Sequence, residues 1–332
     1  GYHSLGSSMY LYNVSASIAV SVSSKVAFGA GITFAFPYTD MAFVRDRGLE
    51  ACPVASCNVE DPRYAEHYHI HNNDFLNLRG LSLNLGFLMT LPNHLVVGVG
   101  LVSPPAFLDT STLAEPTDVE VSGFTGNGQD AYVLRGKGRI VYVLPSTITT
   151  GVRYSLGAAT DVMLDFRWQN LSRHSQYDVR LVGPRLRGGG VPEQIVRYRN
   201  LEDTFALGLA VEHDATSRLR LAARLGADTS AVRTEDVSPL EVDAPKGSVS
   251  LGARFTLSET FKVTAGYTLG HLLTRNVTES SYSPSAYRDC VASGYDYDVC
   301  QAAREGRAIP TAAGEYARTS HSFSLGLTLS WW

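Results

Sequence analysis

The chain has 332 residues, a net charge of −4 and 18% charged residues, below the roughly 25% usual for soluble globular domains. That balance excludes bulk nucleic-acid binding. No run approaches the ~18 apolar residues of a membrane helix, which excludes a helical inner-membrane protein. Thirty Gly and seventeen Tyr point instead to a β-rich protein with tight turns and interfacial rings.

Taken in chain order, the sequence alternates apolar with small or polar residues, as strands do when their faces meet different surroundings. Gly1-Tyr2-His3 already falls within the pattern, so the chain reads as processed or incompletely represented at its start. Tyr10, Tyr12, Val14, Ala16, Ile18 and Val20 share one parity, against Asn13, Ser15, Ser17 and Ser21. After a tight turn at Ser23-Ser24-Lys25, Val26, Phe28, Ala30, Ile32, Phe34 and Phe36 resume it. A polar loop is expected from Asp46 to Asp74. Leu81 to Leu91 and Leu95 to Leu101 then form a hairpin across Pro92-Asn93-His94.

A second loop is expected from Pro104 to Asp130. Ile140, Tyr142, Leu144, Ile148, Val152 and Tyr154 follow on one parity, interrupted by Pro145. Proline cannot donate to a ladder, so a bulge or kink is predicted there. Further strands are read at Val162–Trp168, Phe205–Val211, Leu219–Leu225, Val249–Leu257 and Phe261–Leu269. Loops are expected at Ser172–Glu202, Asp228–Pro245 and Arg275–Arg318. In the last stretch Phe323, Leu325, Leu327, Leu329 and Trp331 form a fully apolar face against Ser322, Ser324, Gly326, Thr328 and Ser330. That resembles the closing strand of an outer-membrane barrel, with its apolar residues in step with Trp331 rather than Trp332.

Eleven strands, with short turns at one end and long loops at the other, predict an all-β fold. It is a transmembrane antiparallel β-barrel of the bacterial outer membrane, one domain over residues 1–332, with short turns in the periplasm. The closing strand runs down to the periplasm, and counting back the first visible strand does too. Bacterial barrels have an even strand number. An odd number of strands is therefore expected before Gly1.

Cys52 with Cys57 and Cys290 with Cys300 lie close in sequence within loops and predict two local disulfides in an oxidising compartment. His67, His69 and His71 alternate with Tyr68 and Ile70, so an extended segment puts three imidazoles on one face, an arrangement that suits a metal. Exposed histidines on a solvated strand extension are the bland alternative. The inward parity carries Arg135, Lys137, Arg139, Arg153, Arg167, Arg218, Arg220, Arg224, Arg254 and Lys262, with Asp165 and Glu212 as the acids placed among them. Such a lumen would attract a carboxylate, and a solvated, partly ion-paired interior is the alternative. Arg135, Lys137 and Arg224, nearest the outer end, are the better ligand candidates on this reading. No nucleophile, base and orienter occur together, so no enzyme, cofactor or resident metal is expected.

Several segments resemble the FadL family, outer-membrane transporters of long-chain fatty acids and hydrophobic compounds. The carrying residues are Ser17 to Gly31, Leu83 to Met89, Leu95 to Gly100, Leu144 to Tyr154 and Met163 to Asn170, in that order. The resemblance implies fourteen strands and an N-terminal hatch, so three strands and the hatch would precede this chain. It also implies that loops Asp46–Asp74 and Pro104–Asp130 form an outer hydrophobic groove, with Phe107, Leu108, Leu113 and Phe124 as its apolar residues. The expected function is outer-membrane transport of hydrophobic molecules such as fatty acids. The expected partners are that solute, membrane lipid and lipopolysaccharide. The alternative is a barrel serving as scaffold in an outer-membrane complex, with a protein partner at the long loops or the N-terminal region.

Overall fold

The structure is a computed structural model and describes residues 2–46, 65–71, 80–104, 113–124, 131–142, 145–173, 176–182, 194–198, 200–237, 242–278 and 314–329. In chain order the strands begin with β1 (Tyr2–Ser21), β2 (Val26–Asp46), β3 (Ala65–His71), β4 (Gly80–Leu91) and β5 (Leu95–Val102). Next come β6 (Leu113–Phe124), β7 (Ala131–Tyr142), β8 (Thr147–Leu156), β9 (Thr160–Gln169), β10 (Gln176–Val182) and β11 (Gln194–Tyr198). The last are β12 (Thr204–Asp214), β13 (Leu219–Asp228), β14 (Lys246–Thr256), β15 (Phe261–Val277) and β16 (Gly314–Leu329).

Eleven of these strands form one antiparallel wall in the order β1-β2-β4-β5-β8-β9-β12-β13-β14-β15-β16. They are the eleven strands predicted from alternation. No helix among the described residues is long and apolar enough to cross a membrane. Among the described residues β1 and β16 each pair on one side.

One parity of each wall strand is apolar and exposed, as Phe28, Leu207 and Leu251 illustrate, and Phe323 on β16 is 80% exposed. A soluble sheet would cover such a face; a lipid-facing wall leaves it open. The short turns are closed by hydroxyls. Ser23 Oγ accepts from the Lys25 and Val26 amides at 3.2 Å each. Thr216 Oγ1 accepts from Arg218 and Leu219, and Ser258 Oγ from Phe261. In the three-residue turn Pro92–His94, Asn93 and His94 both have positive φ, 61° and 60°, the left-handed backbone that Asn and His adopt more readily than most residues.

The other five strands leave the wall at the outer half of β2. β3 pairs with Asp40–Asp46, then β6, β7, β10 and β11 add in turn. This branch corrects two expectations. The loops read at Asp46–Asp74, Pro104–Asp130 and Ser172–Glu202 contain strands. Pro145 marks a strand break and not a bulge: β7 pairs with β6 and β10, whereas β8 pairs with β5 and β9. Proline lacks the amide donor that would carry one ladder across, so the chain changes partners there.

With lipid on one side of the wall and the lumen on the other, the buried apolar residues collect outside it. Tyr68, Ile70, Val119, Val121 and Leu181 lie on one face of the branch. Leu201, Ala231, Val232, Val237 and Val277 form a second cluster, a cap over β12–β15, with Leu171 and Tyr316 against it. Arg275 ties this cap together, donating to Ser230 Oγ at 3.0 Å and to the carbonyls of Val232 and Asp243 at 2.7 Å each.

Candidate functional site

The lumen face is built from small residues in register. Gly29, Gly86, Gly100 and Thr149 form one cross-strand row. Another runs Gly98, Gly151, Asp165, Gly208, Gly226, Ser248, Gly270 and Ser320. Side-chain alternation carries the row from strand to strand, because each register keeps one parity inward. Over β1, β2 and β4 this face is polar but uncharged. Ser15 Oγ and Thr33 Oγ1 are 2.7 Å apart, and Asn84 Nδ2 donates to Thr33 Oγ1 at 2.6 Å.

Charge concentrates on β9, β12 and β13. Arg224 forks onto Asp165, with Nη1 to Oδ2 at 2.6 Å and Nη2 to Oδ1 at 2.7 Å, the bidentate geometry that favours arginine. Gly208 makes room for it: a Cβ there would meet Arg224 Nη2 at 2.2 Å and Asp165 Oδ2 at 2.6 Å. Arg167 reaches Asp228 at 3.0 Å. Arg220 contacts Asp161 at 2.5 Å, Glu212 at 2.9 Å and Asp214 at 3.7 Å. Its Nε faces Glu212 without hydrogen-bond alignment. The lumen thus holds Asp161 and Asp228 besides Asp165 and Glu212, and each acid meets a cation. The sequence reading placed too few acids because Asp161 and Asp228 stand at strand ends, beside residues read as turn and loop.

Arg135 and Lys137 were expected in the lumen, and the structure corrects that. Both lie on β7, outside the wall, where Arg135 Nε donates to Glu120 at 2.8 Å and Lys137 Nζ pairs with Asp118. Both are largely exposed. Reading β7 and β8 as one strand carried the barrel parity across a break where it does not hold. Arg224 stays on the inward parity of β13, bound to Asp165.

The β3–β6 register puts His67, His69 and His71 opposite Ser122, Glu120 and Asp118. His69 and His71 stack with centroids 4.9 Å apart, and His69 Nε2 lies 2.9 Å from Asp40 Oδ1. Among the described residues no group of three His, Cys, Asp or Glu side chains is gathered to hold a metal ion. On the opposite face Glu66 is buried at 1% exposure, receiving the Tyr68 hydroxyl at 2.8 Å and the Tyr132 hydroxyl at 2.6 Å.

The apolar groove residues are only partly within view. Phe107 and Leu108 lie outside the described residues, as do Cys52, Cys57, Cys290 and Cys300. Leu113 and Phe124 begin and end β6, opposite Tyr142 and Ala131. A separate apolar groove of about 470 Å³ lies on the wall among Ile18, Val20, Phe28, Phe87, Val99 and Leu101. Most of these have the lipid-facing parity, so it is a feature of the membrane surface.

No protein-family model matches the chain. It is 21% identical over 223 residues to the Neisseria meningitidis serogroup B protein named "Putative outer membrane protein NMB0088", covering 66% of this chain and 46% of that protein. The chain therefore spans about half the length of that curated relative. Among solved structures it is similar to a Pseudomonas aeruginosa FadL homologue, with TM-score 0.69 and 10% identity, over 97% of this chain and 68% of that one. It is similar to the Pseudomonas putida toluene transporter TodX with TM-score 0.64 and 12% identity, over 97% and 69% of the two chains. The monoaromatic hydrocarbon channel CymD gives TM-score 0.57 and 14% identity over 80% and 69%. The fold is that of the FadL-type outer-membrane β-barrels, and the exposed apolar face of the wall is its lipid-contacting surface.

Proposed function

We propose that this chain forms the wall of an outer-membrane channel for hydrophobic small molecules. The observation that carries the reading is the divided lumen. Charges on β9, β12 and β13 are largely neutralised in pairs, whereas the same face of β1, β2, β4 and β5 carries uncharged residues, among them glycines and hydroxyls. An uncharged face lets an apolar solute pass without stripping water from an unpaired ion, whose burial is costly. The likeness to hydrocarbon and toluene channels supports the same reading at the level of fold.

Long-chain fatty acids fall within the proposed solute class. Phe107, Leu108, Leu113 and Phe124 are proposed to form an apolar entry groove on the outer side. The chain's cysteines are proposed to pair as Cys52–Cys57 and Cys290–Cys300 in the outer loops.

The test is solute flux into liposomes holding the full-length protein, using toluene and a long-chain fatty acid. Flux above that of empty liposomes is expected. Charged substitutions at Phe107 and Leu108 should reduce it while the folded barrel keeps its heat-modifiable migration. Neutralising Arg135 and Lys137 together should leave flux unchanged, because both stand outside the wall. Background flux for every hydrophobic solute tried would sink the channel reading.

A further inference from the structure

We propose a carboxylate-binding site at the periplasmic mouth of the lumen, centred on Arg254 and Arg218. The two residues lie on the inward parity of β14 and at the start of β13, beside the short turn 215–217. They line a polar recess of about 480 Å³ with Asp214, Thr216, Arg220 and Thr256. The register sets Arg254 directly opposite Arg220, and like charges opposed across a ladder are destabilising.

The neighbours divide unequally. Arg220 is held by Asp161, Glu212 and, at longer range, Asp214. Among the described residues the guanidinium groups of Arg254 and Arg218 have no ion-pair or hydrogen-bond partner. Lys262, opposite Thr256, adds a further cation with no ion-pair partner there. The three lumen-side acids at this end, Asp161, Glu212 and Asp214, already face Arg220. Arg167 and Arg224, farther from this end, differ: each has a carboxylate within 3.0 Å. Arg254, Arg218 and Lys262 thus leave free positive charge at the periplasmic end of the wall.

Two forked guanidiniums beside the Thr216 and Thr256 hydroxyls fit a planar oxyanion. A solute that has crossed the uncharged face must be mostly apolar, which makes a single carboxylate the group best matched to this recess. The site thus deepens the proposed function and rests on it: it would receive the head of an amphiphilic acid as it leaves the lumen.

The test is titration of the full-length, detergent-solubilised protein with benzoate and with its uncharged isostere benzamide, read by saturation-transfer NMR. Wild type should bind benzoate more tightly than benzamide. Arg254→Gln with Arg218→Gln should weaken benzoate by about ten- to hundred-fold, the loss expected for charge-assisted bonds, and leave benzamide unchanged. Unaltered heat-modifiable migration will show that the variant is folded. Equal binding of the two probes by wild type, or benzoate binding unchanged in the variant, would overturn the site. Toluene flux through liposomes separates this from the channel itself. Flux retained by the double variant, with benzoate binding lost, places the two arginines in anion capture and not in forming the pore.

Discussion

Glycine at two lumen positions answers to different neighbours, and the difference can be measured. A Cβ at Gly31 would sit 2.9 Å from the Ala16 carbonyl oxygen and 2.9 Å from Ser17 Cβ on β1. Backbone cannot step aside, so Gly31→Ala is expected to destabilise by about 1–3 kcal/mol, the usual cost of overpacking. At Gly208 the obstacles are the flexible tips of Arg224 and Asp165. Gly208→Ala should displace that pair and cost less, within about 1 kcal/mol, as expected for an exposed ion pair. Urea unfolding in detergent orders the two variants, and a larger loss at Gly208 would contradict the geometry.

Asp203, just before β12, makes a pH prediction. Its burial works to raise the carboxyl pKa, but the Ser172 and Trp168 hydrogen bonds outweigh burial and hold it below the ordinary range. A depressed carboxylate contributes stability that is present above the unfolded value of about 3.9 and is lost as pH falls through the lower folded value. The contact between Trp168 and Asp203 should therefore persist at neutral pH and loosen only below about pH 4. Trp168 fluorescence, isolated by difference from Trp168→Phe, checks this; Asp203→Asn should remove the transition.

At the scale of elements, the branch β3-β6-β7 is a small sheet with one apolar face. Ile70 is fully buried, and Tyr68, 1% exposed, stacks on Phe43 at 5.0 Å. Ile70→Ala should cost about 2–5 kcal/mol of the branch's own stability. The wall hydrogen bonds are made between other strands, so they should survive. Limited proteolysis of the variant is expected to cut within 65–71 or 113–142 while the folded barrel still migrates as heat-modifiable. Loss of the whole barrel would mean that branch and wall fold as one unit. The alternation of His67, His69 and His71 with Tyr68 and Ile70 made β3 legible as an extended segment. Its partners were not legible, because nothing local says which of several loop strands will lie beside it.

At the scale of the molecule, the wall separates lipid from lumen with one residue of spacing. Leu325 on β16 is 77% exposed on the apolar face, and Ser324 is its neighbour on the other. Leu325→Lys should destabilise by about 2–4 kcal/mol if it lies near the midplane, whereas Ser324→Lys should be nearly neutral. Folding titrations in lipid vesicles test the contrast, and equal costs would refute the assigned faces.

The sequence by itself determined the wall. Alternation from Tyr10 to Val20, and again in each later strand to Leu329, is a local property, since neighbouring side chains must point to opposite solvents whatever the strand pairs with. That is why the strand number and the lipid-facing set could be read directly. The tertiary structure decided what alternation cannot encode. A strand outside the membrane alternates just as one inside it does, so Arg135 and Lys137 looked like lumen residues until β7 was seen to pair with β6 and β10. Ion pairing is likewise a matter of register across strands. Asp161 and Asp228 reach Arg220 and Arg167 only because β9, β12 and β13 align as they do, and the same alignment leaves Arg254 facing a guanidinium whose carboxylates are already engaged.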